Sequence, residues 1–365
     1  MVLAILPLFI TSGLGAPALA VGLVEGVADG SSAAIKVWSG WYSDRIEWRK
    51  SLAAGGYGAT GVGFALLVAV TTWPQVLVSR GFAWMGRGVR QPIRSAMLAG
   101  SVEKKDLGKA FGFHEAMDTA GALIGPATAF LLLATNHGFR TVFAVAMIPA
   151  ALAVAFFALL TRDPRRGTWR VEAPNLKLPA GFWRLMVPIG IFGAGNFATA
   201  FFTLRVVQML QPELSRPAAT AAAVGFYLAH NAVGTAVSFP AGWLADRVSK
   251  PQVLAAAYVT FGLACVVGAL GHGWFAVAGL ALLVGAESPV VSSVEGSLSG
   301  SLVEEPKLGT AFGVLNGING AGDLLSSVLA GLLWMASPAA SMGLGAVLSL
   351  VSTSILWLRP PTSSN

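Results

Sequence analysis

The sequence predicts an all-α membrane protein of twelve transmembrane helices in two parallel six-helix repeats, the first helix truncated at its N-terminus. Three observations carry this. The 365 residues are 55% hydrophobic and only 11% charged, with a mean hydropathy of +0.69; soluble domains carry about a quarter charged residues. Residues 40–50, GWYSDRIEWRK, return in shortened form at 242–250 as GWLADRVSK, each copy closing one long apolar run and preceding another. Finally, LGKAFGFHEAMDTAGAL at 107–123 returns at 308–324 as LGTAFGVLNGINGAGDL, with Val102-Glu103 matching Val303-Glu304 just before it. Both pairs recur at nearly the same offset, so the copies run in the same direction.

A helix crosses a bilayer in about 20 apolar residues, and irregular backbone cannot face lipid. On that basis the spans fall at 1–12, 18–41, 51–72, 75–98, 108–134, 139–161, 183–210, 218–243, 252–270, 274–300, 309–334 and 339–357. The first is too short. Projecting the long seventh span back through the repeat offset starts the first helix upstream of Met1, so the chain is expected to begin partway along a helix. No basic n-region or small-residue cleavage site marks a signal peptide. Loops are short except 162–180, rich in Pro and Arg, which is expected to link an N-terminal bundle, 1–161, to a C-terminal bundle, 181–365. Ten of the eleven tryptophans fall near span ends or in flanking loops, as an interfacial belt requires; Trp84, inside the fourth span, is the exception.

The formal charge of +7 concerns topology, not nucleic acid. Of 24 Lys and Arg, 16 fall on one set of alternate loops and ends, and the opposite loops hold only Arg140 and Arg216. That asymmetry places the basic loops, and both termini of a full-length protein, in the cytoplasm; the expected location is the plasma membrane, a bacterial inner membrane. The single Cys265 lies in an apolar run and reads as a packing residue.

Ionisable residues within spans face partners or a wet cavity. Glu25, Asp29 and Lys36 fall on one face of span two; Arg87, Arg90 and Arg94 form a stripe on span four; His114, Glu115 and Asp118 lie on span five. Counted from the turn between spans four and five, Arg94 lies level with His114 and Glu115, and Arg90 with Asp118. Ion pairs are expected there. In the second repeat Glu287 and Asp323 lie at similar depth, Glu295 sits nearer the cytoplasm, and Asn316 and Asn319 add polar lining. Two acids without an obvious basic neighbour could share one proton. Two readings stay open for these groups: locks between helices, or a substrate and proton pathway. The second repeat replaces His114, Glu115, Asp118 and Arg90 by Leu315, Asn316, Asn319 and Val291, which favours the pathway.

GWYSDRIEWRK resembles the loop-2/3 motif of the major facilitator superfamily of secondary transporters, Gly-x-x-x-Asp-Arg-x-x-Arg-Lys, with Trp48 where a glycine is usual; the resemblance covers the whole chain. It implies the major facilitator fold and a cytoplasmic gate at Gly40, Asp44, Arg45, Arg49 and Lys50, repeated at Gly242, Asp246 and Arg247. From the residues themselves, Asp44 can accept from a neighbouring helix N-terminus while Arg45 anchors at the membrane face. Gly121, Gly125 and Pro126 in span five resemble the motif of antiporters, with Thr128 and Ala129 in place of its trailing glycines. In span four Arg80 is followed by Gly86 and Gly88 at a spacing that departs from the drug-exporter pattern. The expected activity is proton-coupled export of a small solute by alternating access, performed by a monomer in the lipid bilayer; an uptake permease, a facilitator and a non-transporting sensor are the alternatives. No nucleotide loop, metal set or nucleophile-base pair marks an ATPase or enzyme, and no cofactor or nucleic-acid partner is expected.

Overall fold

The computed structural model describes residues 2–135, 137–161 and 177–359. The described residues form α-helices joined by short turns: α1 Val2–Leu8, continued by a π turn at Phe9–Gly13, α2 Ala18–Ser43, α3 Arg49–Leu66, α4 Trp73–Gly100, α5 Leu107–Ala134, α6 Phe139–Leu160, α7 Ala180–Gly195, α8 Thr199–Leu210, α9 Arg216–Ala245, α10 Lys250–Leu270, α11 Gly273–Leu302, α12 Leu308–Ala336 and α13 Pro338–Leu358. The repeat is visible in the elements themselves. One 3-10 turn, Lys104–Asp106, precedes α5 and another, Glu305–Lys307, precedes α12. Most of the expected linker, 162–176, lies outside the described residues, as do Arg162, Arg165, Arg166 and Arg170.

The spans expected from hydropathy match these helices closely, with one correction. The seventh span is not one helix. It breaks at Asn196–Ala198 into α7 and α8, where Asn196 leaves helical geometry (φ −84°, ψ 82°). Leu348 lies where a Cβ on Gly195 would point, at 2.8 Å, and the Ser326 hydroxyl donates to the freed Asn196 carbonyl at 3.0 Å. A polar group supplied by a neighbouring helix lets backbone break inside an apolar run. The third span also stops early, at Leu66.

Seven helical stretches among the described residues are long and apolar enough to cross a membrane on length and composition alone. α2 and α4, which carry Glu25, Asp29 and Lys36, and four arginines, are not among them.

Two compact units emerge. One comprises Met1–Ser101, Ile124–Leu176 and Glu305–Gly317; the other Val102–Leu123, Lys177–Glu304 and Ile318–Asn365. The first part of α5 thus belongs with the second repeat, and the first part of α12 with the first. Within the first unit α4 packs on both α2 and α3, through glycines. A Cβ on Gly88 would meet the Ser32 carbonyl at 2.8 Å, and one on Gly86 the Gly56 carbonyl at 2.6 Å. Close backbone approach also brings hydroxyls to carbonyls across the helices: Ser39 donates to Gly88 at 3.0 Å and Thr60 to Ala83 at 3.2 Å. Within the second unit α11 packs on α9 and α10, and α13 on α7 and α10, around an aromatic core in which Phe192 stacks on Tyr258 with ring centroids 3.8 Å apart.

Candidate functional site

Three groups of candidate residues come together. The first is a pair of crossed helix caps. Asp44, the residue that ends α2, directs its carboxylate at the start of α12: it accepts from the Gly309 amide at 2.9 Å, the Thr310 amide at 2.5 Å and the Thr310 hydroxyl at 2.7 Å. Arg49 closes the other side at 2.6 Å and also donates to the Ser43 carbonyl at 2.7 Å. Asp246, which ends α9, does the same for α5, accepting from the Gly108 amide at 2.7 Å and the Lys109 amide at 2.8 Å, with the Lys250 ammonium at 3.4 Å. Unsatisfied amides and the positive end of the helix dipole make each N-terminus a site for a carboxylate. Burial raises the Asp44 carboxyl above the ordinary carboxylate range, opposed by the Arg49 charge and by the hydrogen bonds from Thr310 and Gly309.

Glycine is required at both crossings. A Cβ on Gly40 would sit 2.7 Å from the Gly313 Cα, and one on Gly242 would sit 2.9 Å from the Gly112 Cα. Arg45 stacks on Trp41 with its guanidinium carbon 3.6 Å from the ring centroid, and Arg247 on Trp243 at 3.7 Å. Lys50 follows Arg49 in the first turn of α3, half-buried. The sequence foresaw Asp44 as an acceptor for a helix N-terminus. It did not identify the helix, nor that each copy of the motif caps a helix of the other repeat.

The second group lies between α2 and α4. Arg80 has no exposed surface and pairs with Glu25 at 2.7 Å, while its guanidinium lies flat on Trp84, 3.2 Å from the centroid. The Trp84 indole donates to Asp29 at 2.8 Å, and Arg87 approaches the same ring at 5.2 Å. Glu25 and Asp29 therefore share one basic and aromatic partner set, which explains why Trp84 sits away from the interface. Arg90 turns to α3, 4.3 Å over the Tyr57 ring. Arg94, one turn further on, is half-buried. On α5, His114 lies 3.6 Å from Asp118. Gly121 has open space where a Cβ would be, and Gly125 and Pro126 follow within the same helix.

The third group is on α10, α11 and α12. Glu287 and Glu295 are each 2% exposed. Glu295 accepts from the Tyr258 hydroxyl at 2.9 Å and from the Asn319 amide at 2.8 Å. The two asparagines diverge: Asn316 accepts from Gln91 of α4 at 3.1 Å. Asp323 is exposed on α12. Arg80, Trp84, Tyr57 and Tyr258 are the site residues that sequence reasoning left out of the candidate set. Signals existed: Arg80 stands seven residues before Arg87 on the same helix face, and the tyrosines recur at the repeat offset.

A model of the Major Facilitator Superfamily matches residues 1–235 and again 206–365. The chain belongs to this superfamily. It is a secondary transporter integral to a membrane, and not an enzyme. An uncharacterised MFS-type transporter of Methanocaldococcus jannaschii is 28% identical over 348 residues, covering 93% of this chain and 85% of that one. An uncharacterised protein of Mycobacterium bovis is 30% identical over 210 residues, 52% of this chain and 50% of its own. Among solved structures, the fucose:proton symporter of E. coli superposes with a TM-score of 0.72 at 15% identity, over 94% of this chain and 92% of that one. A bacterial homologue of the iron transporter ferroportin, in an outward-facing state, gives 0.72 at 15% identity over 97% and 93%. These structural likenesses concern the major facilitator fold.

Proposed function

We propose that this transporter exports a small solute in exchange for protons, its two repeats, 1–161 and 181–365, rocking on the linker 162–180. The observation that carries the reading is the pair of crossed caps. Each ties the motif of one repeat to a helix start of the other through a few short hydrogen bonds and a glycine crossing, so breaking both frees one face without disturbing either repeat's core. That is the form a reversible gate takes in alternating access. The basic loops beside the caps make this the cytoplasmic gate of an inner-membrane protein, with both ends of the full-length chain on that side. Cation coupling, by protons in this reading, is supported by acids inside the spans: Glu25 and Asp29 on α2, which have Arg80 and Trp84 as partners, and Glu287 and Glu295 buried on α11. Arg87, Arg90 and Arg94 add basic groups within α4, and His114 and Asp118 add titratable groups within α5. Gly121, Gly125 and Pro126 favour export over uptake, and a monomer suffices because each repeat supplies the other's caps.

The test uses full-length protein in proteoliposomes, with a solute chosen by thermal-shift screening and a pH-sensitive dye in the lumen. An imposed pH gradient drives solute against its concentration, and an uncoupler abolishes the effect. Flux that follows the solute gradient alone makes the protein a facilitator and overturns the coupling.

A further inference from the structure

The repeats carry opposite charge at matching positions. Tyr57 of α3 and Tyr258 of α10 occupy equivalent places, since α3 and α10 begin at Arg49 and Lys250 and α5 and α12 at Leu107 and Leu308. In the first repeat the tyrosine meets a cation, Arg90, at 4.3 Å. Its counterpart meets an anion, Glu295, at 2.9 Å. In the same register Arg94 corresponds to Glu295 itself. The first repeat is therefore supplied with fixed positive charge where the second has carboxylates.

Those carboxylates are deeply buried, and the donors around them are neutral. Glu295 has a hydroxyl and an amide. Glu287 has an oxygen, Oε1, that is buried and meets no donor. A carboxylate in that condition costs several kcal/mol unless a positive charge joins it. Each element packed against them brings its own groups. From α10 come Tyr258 and Cys265, and from α12 Asn319 and Asp323. His230 of α9 packs its backbone against Gly285 and turns its ring to the Phe226 carbonyl at 3.3 Å and to Asn231. Arg205 of α8 is held by the Gly268 and Ala269 carbonyls at the far end of α10, at 2.7 and 3.4 Å. Arg184 of α7 lies near the start of its helix, exposed. The described neighbours supply acids and neutral donors at the pair itself.

We propose that the coupling cation is bound in the second repeat by the buried carboxylates of α11, Glu287 and Glu295, with Tyr258 and Asn319 holding Glu295 in place. The cation is a proton or a sodium ion, two sources of the same small hard charge. This rests on the cation-coupled reading above and deepens it. Glu25 and Asp29 already have Arg80 and Trp84, whereas the α11 carboxylates have neutral donors or none. Glu287 and Glu295 bind the cation; Tyr258 is a positioning residue.

The experiment uses the purified full chain in lipid nanodiscs. Infrared difference spectra across neutral pH report protonated carboxyl groups, and thermal unfolding in NaCl against equal choline chloride reports sodium. With a proton, the wild type shows a protonated-carboxyl band near neutral pH that E287Q and E295Q each diminish and Y258F shifts in frequency, with no preference for NaCl. With sodium, NaCl raises Tm, and E287Q loses the rise. Glu-to-Gln keeps shape and removes buried charge, and Y258F tests the same site without touching either acid. Absence of both signals in the wild type overturns the proposal, as does their persistence in the E287Q/E295Q double variant. Gradient-driven transport that survives in that double variant removes this site while leaving proton coupling intact. A loaded site in a protein whose flux ignores the pH gradient supports the site and removes the coupling.

Discussion

Neutralising Asp44 should open the cap on α12 by a measurable amount. In Asp44→Asn the side chain keeps one acceptor oxygen for the Gly309 and Thr310 amides, now 2.9 and 2.5 Å away, but loses the charge that holds Arg49 at 2.6 Å. Arg49 is buried, so removing its partner is close to the case in which one member of a buried pair is deleted, at about 3–5 kcal/mol. The remaining acceptor offsets part of that. A net of about 2–3 kcal/mol, or roughly 30- to 150-fold in the open population, follows. Ser43 has no exposed surface and its hydroxyl touches Gly309, which makes a Ser43→Cys reporter unreactive until the cap opens. In a Cys265→Ser background, maleimide labelling of that reporter should accelerate by this factor in Asp44→Asn. Asp246 has two amides and a more distant Lys250, at 3.4 Å, so Asp246→Asn should accelerate a Ser238→Cys reporter less, by about tenfold. Unchanged labelling in Asp44→Asn, or a larger effect from Asp246→Asn, would refute the assignment of the stronger cap to Asp44.

Gly40→Ala places a methyl group against the Gly313 backbone, which cannot swing aside, and should raise Ser43→Cys labelling at a cost of about 1–3 kcal/mol; Gly26→Ala, with open space around it, should not. Arg80→Met should lower Tm by leaving Glu25 without its partner, on the order of 3 kcal/mol, and adding Glu25→Gln should recover part of the loss; a double variant no better than Arg80→Met counts against the pair. Asp118→Asn should slow transport in proteoliposomes more than Glu115→Gln, because Asp118 lies within reach of His114 deeper in the span. Equal initial rates at equal protein density would exclude a special role for Asp118.

Much of the fold could be read from residue order because a bilayer imposes it: length, apolarity and loop charge locate a span with little help from tertiary structure. The break between α7 and α8 was lost for the same reason. Gly193, Gly195 and Asn196 hint at it, but what stabilises it is Ser326, 130 residues away, and hydropathy does not register a hydroxyl from another helix. The motif aspartates were visible as helix-capping acids, since their chemistry is local. Their targets were not, because partner choice depends on which helices cross at Gly40 and Gly242. Charges in α2 and α4 were found one helix at a time. Depth matching pointed Arg90 towards α5, whereas the structure places it on Tyr57, an aromatic face that a count of opposite charges overlooks.

The crossed caps also set an order of assembly. Asp246 reaches back 138 residues to Gly108, so α5 is synthesised well before the group that caps it. Asp44 reaches forward 265 residues to Gly309, and its amide partners leave the ribosome when most of the chain is already in the membrane. Over that interval Asp44 has an early companion in Arg49, five residues along. Arg49 is thus close enough in sequence to hold that acid before the helix it caps is made. A chain lacking Arg49 should be most vulnerable to quality-control proteolysis as a nascent protein, before its last two helices are made.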